Sequence, residues 1–152
     1  MGLKKIQQTL NELKNFSIEQ AMEWLFEDKR VHDFIISANT NDQLFDGGID
    51  ANGNSLGVYA ASTIKRKRKL GLPTDHVTLF ETGQFHKSWK LFLDENHDFI
   101  ISADTESAPY GYLLDKYGED ILGLTEENIG RLRELAKIVV QERVQQLIKK
   151  AA

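Results

Sequence analysis

The residues whose types could do chemistry fall in four places. His76, Glu81 and His86 put two imidazoles and a carboxylate within eleven residues. Their spacing is not the His-x-x-x-His or His-Glu-x-x-His that sets zinc ligands on one helix face, so no metal is assigned. Asp75, His76 and Ser88 supply the residue types of a hydrolytic triad, but no Gly-x-Ser-x-Gly elbow presents the serine. The segment Asp50-Ala51-Asn52-Gly53-Asn54 starts like a calcium loop. However, Ser55 stands at its sixth position, where a glycine is needed, and Ala61 at its twelfth, where a glutamate is needed. It reads as a tight turn. Lys65-Arg66-Lys67-Arg68-Lys69 is the only dense charge run. Five consecutive cations cover every face of a helix, so the run is expected to be largely solvated. Its functional reading is contact with phosphate or with an acidic neighbour. No aromatic residue interleaves with it, which argues against base stacking on the run.

The elements that must position these groups follow from periodicity. Leu3, Ile6, Leu10 and Leu13 mark an amphipathic helix. Ser17, with Gln20 three residues on, opens a second helix carrying Ile18, Ala21, Met22, Leu25 and Phe26. This helix continues with an offset near Asp28 through Val31, Phe34 and Ile35, and ends by Gly47-Gly48. Residues 49–61 read as an extended loop or loose hairpin turning at Asn52-Gly53. Ser62 is expected to cap a short helix, 63–70, stopped by Gly71 and Pro73. Residues 77–80 form a short extended run, and Thr82 caps one helical turn. Trp89, Leu91 and Leu93 alternate, as do Phe99, Ile101 and Ala103. A turn over 94–97 makes these a hairpin, and Phe92 and Ile100 imply partial cover on both faces. Pro109 can start an aromatic helix, 110–117, ending at Gly118. Thr125 caps a long final helix whose buried stripe is Leu132, Leu135, Ala136, Val139, Val140, Val144, Leu147 and Ile148. The sum is an α+β fold with N-terminal helices, a small antiparallel hairpin over 88–103, and a long C-terminal helix on the sheet.

The 152 residues bound this to one domain, 1–152, with no internal repeat or linker. The net charge of −4 gives no bulk attraction for nucleic acid. With no cysteine there is no disulfide scaffold, thiolate metal site or thiol nucleophile, which fits a reducing cytoplasm. No apolar run reaches the roughly 18 residues of a membrane span, and the first residues lack the apolar core of a secretory signal.

One stretch carries more than its separate parts. Asp50 and Gly53 form a turn. Ser62, Thr63 and Lys67 follow, then Leu79, Thr82, Gly83, Phe85 and Ser88, a hairpin, and Tyr110, Tyr117 and Gly118. This order resembles the tail-completion and head-tail joining proteins, the virion morphogenesis family of tailed bacteriophages, over roughly residues 45–118. Phe85 replaces the leucine usual after Thr-Gly-x, and Leu56-Gly57-Val58-Tyr59-Ala60 replaces the aromatic and Pro-Leu-Ser usual after the turn.

The resemblance implies a structural part of the phage neck or tail, not an enzyme, with no cofactor, metal or small-molecule substrate. It implies assembly in the host bacterial cytoplasm into the virion, as a ring of identical copies, often hexameric. The implied neighbours are portal or connector, tail terminator or tail tube proteins, and packaged DNA can face the basic run. The loop over 47–61, long and polar, is expected to order against a partner. The rival reading is a small nucleic-acid-binding protein using Lys65, Arg66, Lys67, Arg68 and Lys69.

Overall fold

The computed structural model describes residues 3–151. Helix α1 (Leu3–Lys14) is followed by α2 (Ile18–Glu27) and α3 (Lys29–Ser37). Ser17 caps α2 by accepting from the Gln20 amide at 3.2 Å. Asp28 ends α2 and caps α3, which is the offset expected there. Helix α3 runs on without a break into a π-helix, Ala38–Gly47, that closes at Gly48 in the left-handed conformation. A side chain at Gly48 would have no room. A Cβ there would lie 2.7 Å from the His76 ring and 3.0 Å from the Val77 carbonyl. Then come α4 (Ala61–Lys69), the single turn α5 (Gln84–Lys87), strands β1 (Lys90–Leu93) and β2 (Phe99–Ser102), α6 (Leu113–Tyr117), a 3-10 turn (Glu119–Ile121) and α7 (Glu126–Ala151).

The fold is α+β, as the periodicities predict. The two strands pair antiparallel, with Phe92 opposite Ile100. Two apolar clusters lie along the hairpin, and Ile101 joins both. At one end Leu25, Val31, Ile35, Leu91 and Val139 bring α2, α3 and α7 onto β1. At the other, Leu44, Phe85, Trp89, Leu113 and Ile121 gather the π-helix, α5 and α6. Burying each such large side chain contributes about 1.5–3 kcal/mol.

Several expectations are corrected. Ser62 is exposed inside the first turn of α4, and Ala60 stands at the cap position, so no side chain caps this helix. The run over 77–80 is not a uniform strand, because Leu79 turns to φ +52°. The α6 helix starts at Leu113, after a turn over Pro109 and Tyr110. The partial cover expected on the hairpin's outer face is there but slight: Phe92 and Ile100 keep 50% and 45% of their surface in solvent. The stripe of α1 is likewise open. Helix α1 lies against α7 with Thr9 buried, while Leu3 and Leu10 remain 83% and 55% exposed.

A buried polar seam binds the π-helix to the start of α7. The Asn39 amide donates to the Ile121 carbonyl at 2.9 Å and accepts from Gly123 N at 2.8 Å. Gln43 donates to the Gly123 carbonyl and accepts from Thr125 N and Asn128 Nδ2, all at 2.8–2.9 Å. Asn39 and Gln43 are spaced four apart, so they share a face and read the backbone over 121–125 as a strand would. Thr125 then caps α7, accepting from Asn128 N at 3.3 Å as expected.

Candidate functional site: a cationic cleft around a buried lysine

Lys67 is the residue that departs most from the sequence reading. The basic run was expected to be solvated, yet Lys67 is 2% exposed. Helix α4 places positions 63 and 67 one turn apart on the face toward residues 77–82, so the middle of the run points inward. The Lys67 ammonium donates to the Phe80 carbonyl, lies 3.4 Å from Thr78 Oγ1, and sits 4.6 Å from the centroid of the Tyr59 ring. Tyr59 is itself fixed, its hydroxyl accepting from Thr78 N at 2.8 Å. Among the described residues no carboxylate lies within 4.0 Å of this ammonium. Burial of a cation is costly, and here a carbonyl, a hydroxyl and a ring face offset that cost in place of an anion.

Around it opens a cleft of about 510 Å3. One wall is α4 with Thr63, Arg66 and Lys67. The floor is the segment from Leu79 to Phe85, and the far wall is Pro109 to Tyr117. Gly83, not the expected Thr82, stands at the cap position of α5; Thr82 lies one residue earlier, and its Oγ1 accepts from Gln84 N at 3.3 Å. Gly83, at φ +81°, lets the Phe80 ring approach to where a Cβ would be 3.1 Å away. Leu79 adopts its positive φ in this floor, and such strain is held only where surrounding contacts overdetermine it. Tyr110 donates to Gln84 Oε1 at 3.2 Å and bridges floor to wall. The lining charges are Arg66, Lys67 and Lys116 against a single carboxylate, Glu81. Glu81 is engaged by Arg66 at 2.8 Å. Lys116 stands 5.1 Å from the centre of the Tyr117 ring, and contact with Tyr117 raises its pKa.

Beneath the floor, His86 contacts the rings of Phe80 and Phe85, with Nε2 3.1 Å from the Thr78 carbonyl. Burial pushes its pKa down. The Thr78 carbonyl opposes that shift, and the Lys67 charge adds to it. His76 is turned elsewhere, with Nε2 2.7 Å from the Phe45 carbonyl and Nδ1 3.0 Å from Asp75. The Phe45 carbonyl is the main reason its pKa is raised. His76, Glu81 and His86 therefore each face a separate partner. Among the described residues no three His, Cys, Asp or Glu side chains gather as a metal site. Ser88 does not meet His76. Its hydroxyl donates to the Phe85 carbonyl at 2.6 Å and accepts from Asp104 N at 2.9 Å, which splices α5 to the end of the hairpin.

Asp50 makes a turn, not a cation loop, because its Oδ1 accepts from Asn52 N and Asn54 N, both at 2.9 Å. The loop it opens is already tied down. Ile49 bridges to Ser55, Ala51 N donates to the Asp120 carbonyl at 2.8 Å, and Asn52 Nδ2 donates to Asp120 Oδ2 at 2.8 Å. Residues 47–61, expected to order against a partner, are thus already held by the chain itself, although Val58 at the loop's far side is exposed.

Eight of the thirteen positions that carry the resemblance line the one cleft: Thr63, Lys67, Leu79, Thr82, Gly83, Phe85, Tyr110 and Tyr117. Asp50, Gly53, Ser62, Ser88 and Gly118 lie outside its lining. Tyr59, Arg66 and Lys116 belong to it and were not singled out as partners of Lys67. Their signal was the alternation of cation and aromatic, but it spans sixty residues and only the fold closes it. Comparison with family models, with curated proteins and with solved structures finds no match.

Proposed function

We propose that this chain is a structural assembly protein of a tailed-phage neck or tail, of the tail-completion or head-tail joining kind, working by docking and not by catalysis. The observation that carries the reading is the convergence just described. Residues scattered from 63 to 117, chosen by their resemblance to that family, build one cationic, tyrosine-lined cleft. The open apolar stripe of α1 and the half-exposed Phe92–Ile100 pair support it, since large exposed apolar side chains in clusters mark interaction surfaces. The docked partners are further copies of the chain, in a ring, and the connector, terminator or tube proteins on either side.

The nucleic-acid reading has less support. Of the five cations in the run, Lys67 is withdrawn into the protein and Arg66 is held by Glu81. Lys65, Arg68 and Lys69 remain to meet phosphate. Among the described residues no helix is long and apolar enough to cross a membrane.

The experiment is mass spectrometry with electron microscopy of particles from the source. The expected result is this chain at a fixed copy number in the neck or tail. Its absence from particles that retain their other tail proteins would falsify the reading.

A further inference from the structure

We infer that the cationic cleft receives the acidic tip of the hairpin, residues Asp94 to Asp98, from a second copy of this chain. The inference rests on the assembly reading above and names the contact that reading leaves open.

Charge points to the occupant. The cleft holds three cations and one carboxylate, and that carboxylate is already taken by Arg66. Lys67 and Lys116 therefore project a positive field with no internal anion to absorb it. The hairpin tip is the opposite. Asp94, Glu95 and Asp98 fall within five residues. Asp94 is used inside the turn, its Oδ1 accepting from Asn96 N and Asp98 N at 2.8 Å each. Glu95 and Asp98 are exposed, and among the described residues neither has a cationic partner. His97 faces Glu23 of α2 at 3.3 Å, which fixes the turn and leaves those two carboxylates pointing off the molecule.

Shape agrees. Below the tip, the outer face carries Phe92 and Ile100 side by side across the strands, both about half exposed. At the mouth of the cleft Tyr112 is 55% exposed. A carboxylate tip followed by an apolar pair would meet cations followed by a phenol ring. An interface of this kind is enriched in tyrosine and excludes unpaired charge from its centre.

Position completes the argument. The root of the hairpin, Trp89, packs with Phe85 and Leu113 beside the cleft, whereas the tip lies against α2. Donor patch and acceptor patch therefore sit at opposite ends of the hairpin, and one copy cannot satisfy itself. Two different, complementary patches on one chain make a heterologous contact, the kind that propagates head to tail and closes as a ring.

The test is sedimentation of the purified chain over a range of concentration and salt. It uses wild type, a tip reversal (Glu95→Lys with Asp98→Lys) and a cleft reversal (Lys116→Glu). All three positions are exposed, so folding is expected to survive, and circular dichroism checks this. Wild type should associate, less so as salt rises. Each reversal alone should weaken association at least tenfold. An equimolar mixture of the two reversed proteins should associate again, because each restores the other's missing sign. Wild-type oligomers unmoved by either reversal would overturn this contact and leave self-assembly standing. A wild type that stays monomeric at all concentrations and salts would overturn docking by a second copy. The virion reading is then judged separately, by copy number in particles.

Discussion

Two of the regions in which the molecule buries polar side chains treat them in opposite ways. In the seam between the π-helix and α7, Asn39, Gln43 and Asn128 are neutral amides, and nearly every donor and acceptor meets backbone or another amide. In the cleft, Lys67 is a cation with no anion, and the space beside it is open. A closed set of neutral hydrogen bonds specifies one arrangement of the chain and offers nothing to a partner. A buried charge left without an opposite charge keeps a field that reaches outward. The seam is therefore architecture, and the cleft is where binding is to be sought.

The seam is the place for the largest effect. Gln43→Leu keeps the volume roughly but leaves the Gly123 carbonyl, Thr125 N and Asn128 Nδ2 without the amide they share. Each buried unsatisfied group costs about 1–3 kcal/mol, so a loss of about 3 kcal/mol or more is expected in urea unfolding. The folded fraction should still self-associate as wild type does. Loss of association at full folding would break the division between the two regions.

Lys67→Met comes next. It removes the charge and keeps much of the stem, but the Phe80 carbonyl loses the ammonium and keeps only the Thr78 hydroxyl at 3.4 Å. A fully orphaned carbonyl would cost about 1–3 kcal/mol; this one keeps a long hydrogen bond, and the cation no longer needs to be desolvated, so the cost falls in the lower part of that range. The expected outcome is about 1–2 kcal/mol in urea unfolding, smaller than at Gln43, together with weaker association. A stability loss as large as that at Gln43 with unchanged association would make Lys67 a second piece of architecture.

These two sites also differ in how far the sequence reveals them. The helices, the hairpin and its register side were legible because burial imposes periods of 3.6 and 2. Leu91 and Val139 lie inside as those periods require. The π-helix was not legible. Its polar run, Asn39 to Gln43, has the look of a helix end, and only the backbone over 121–125, eighty residues away, makes those amides buried partners. The fate of Lys67 was hidden for a similar reason. A run of five cations carries no periodicity to say which one faces inward, and that is decided by Tyr59, Thr78 and Phe80. The stripe of α1 shows the converse failure. Its period was read correctly, but the apolar face it marks is not the face that meets α7.

Lys116→Ala sharpens the comparison from the cleft side. Lys116 is exposed and lies over the neighbouring Tyr117 ring. Stability should change by less than about 0.5 kcal/mol, as at surface positions generally. Association should nevertheless weaken and lose part of its salt dependence. Equal salt dependence in the variant would remove Lys116 from the docking surface.

The smallest effect tests whether the field of Lys67 is real. His86 lies behind the floor, and burial lowers its pKa from the ordinary value near 6.5, with Lys67 contributing. The unfolded chain therefore takes up a proton at this residue before the folded chain does. Stability from this residue is complete above pH 6.5 and falls as pH drops from there toward the lowered folded value. His76 acts with the opposite sign. Its pKa is raised, so its contribution is present below pH 6.5 and fades as pH rises through the folded value. The two are separated by comparing wild type with His86→Gln between pH 5 and 8, above the range where the paired carboxylates protonate. The wild-type profile should drop more steeply on the acid side than that of the variant. In Lys67→Met, the imidazole resonances of His86, followed by NMR, should titrate at higher pH than in wild type, because the repelling cation is gone. Burial remains, so the value should not return fully to that of a free histidine. An unshifted titration would show that the Lys67 charge does not act on His86 through the floor, and Lys116 would then be left as the cleft's free cation.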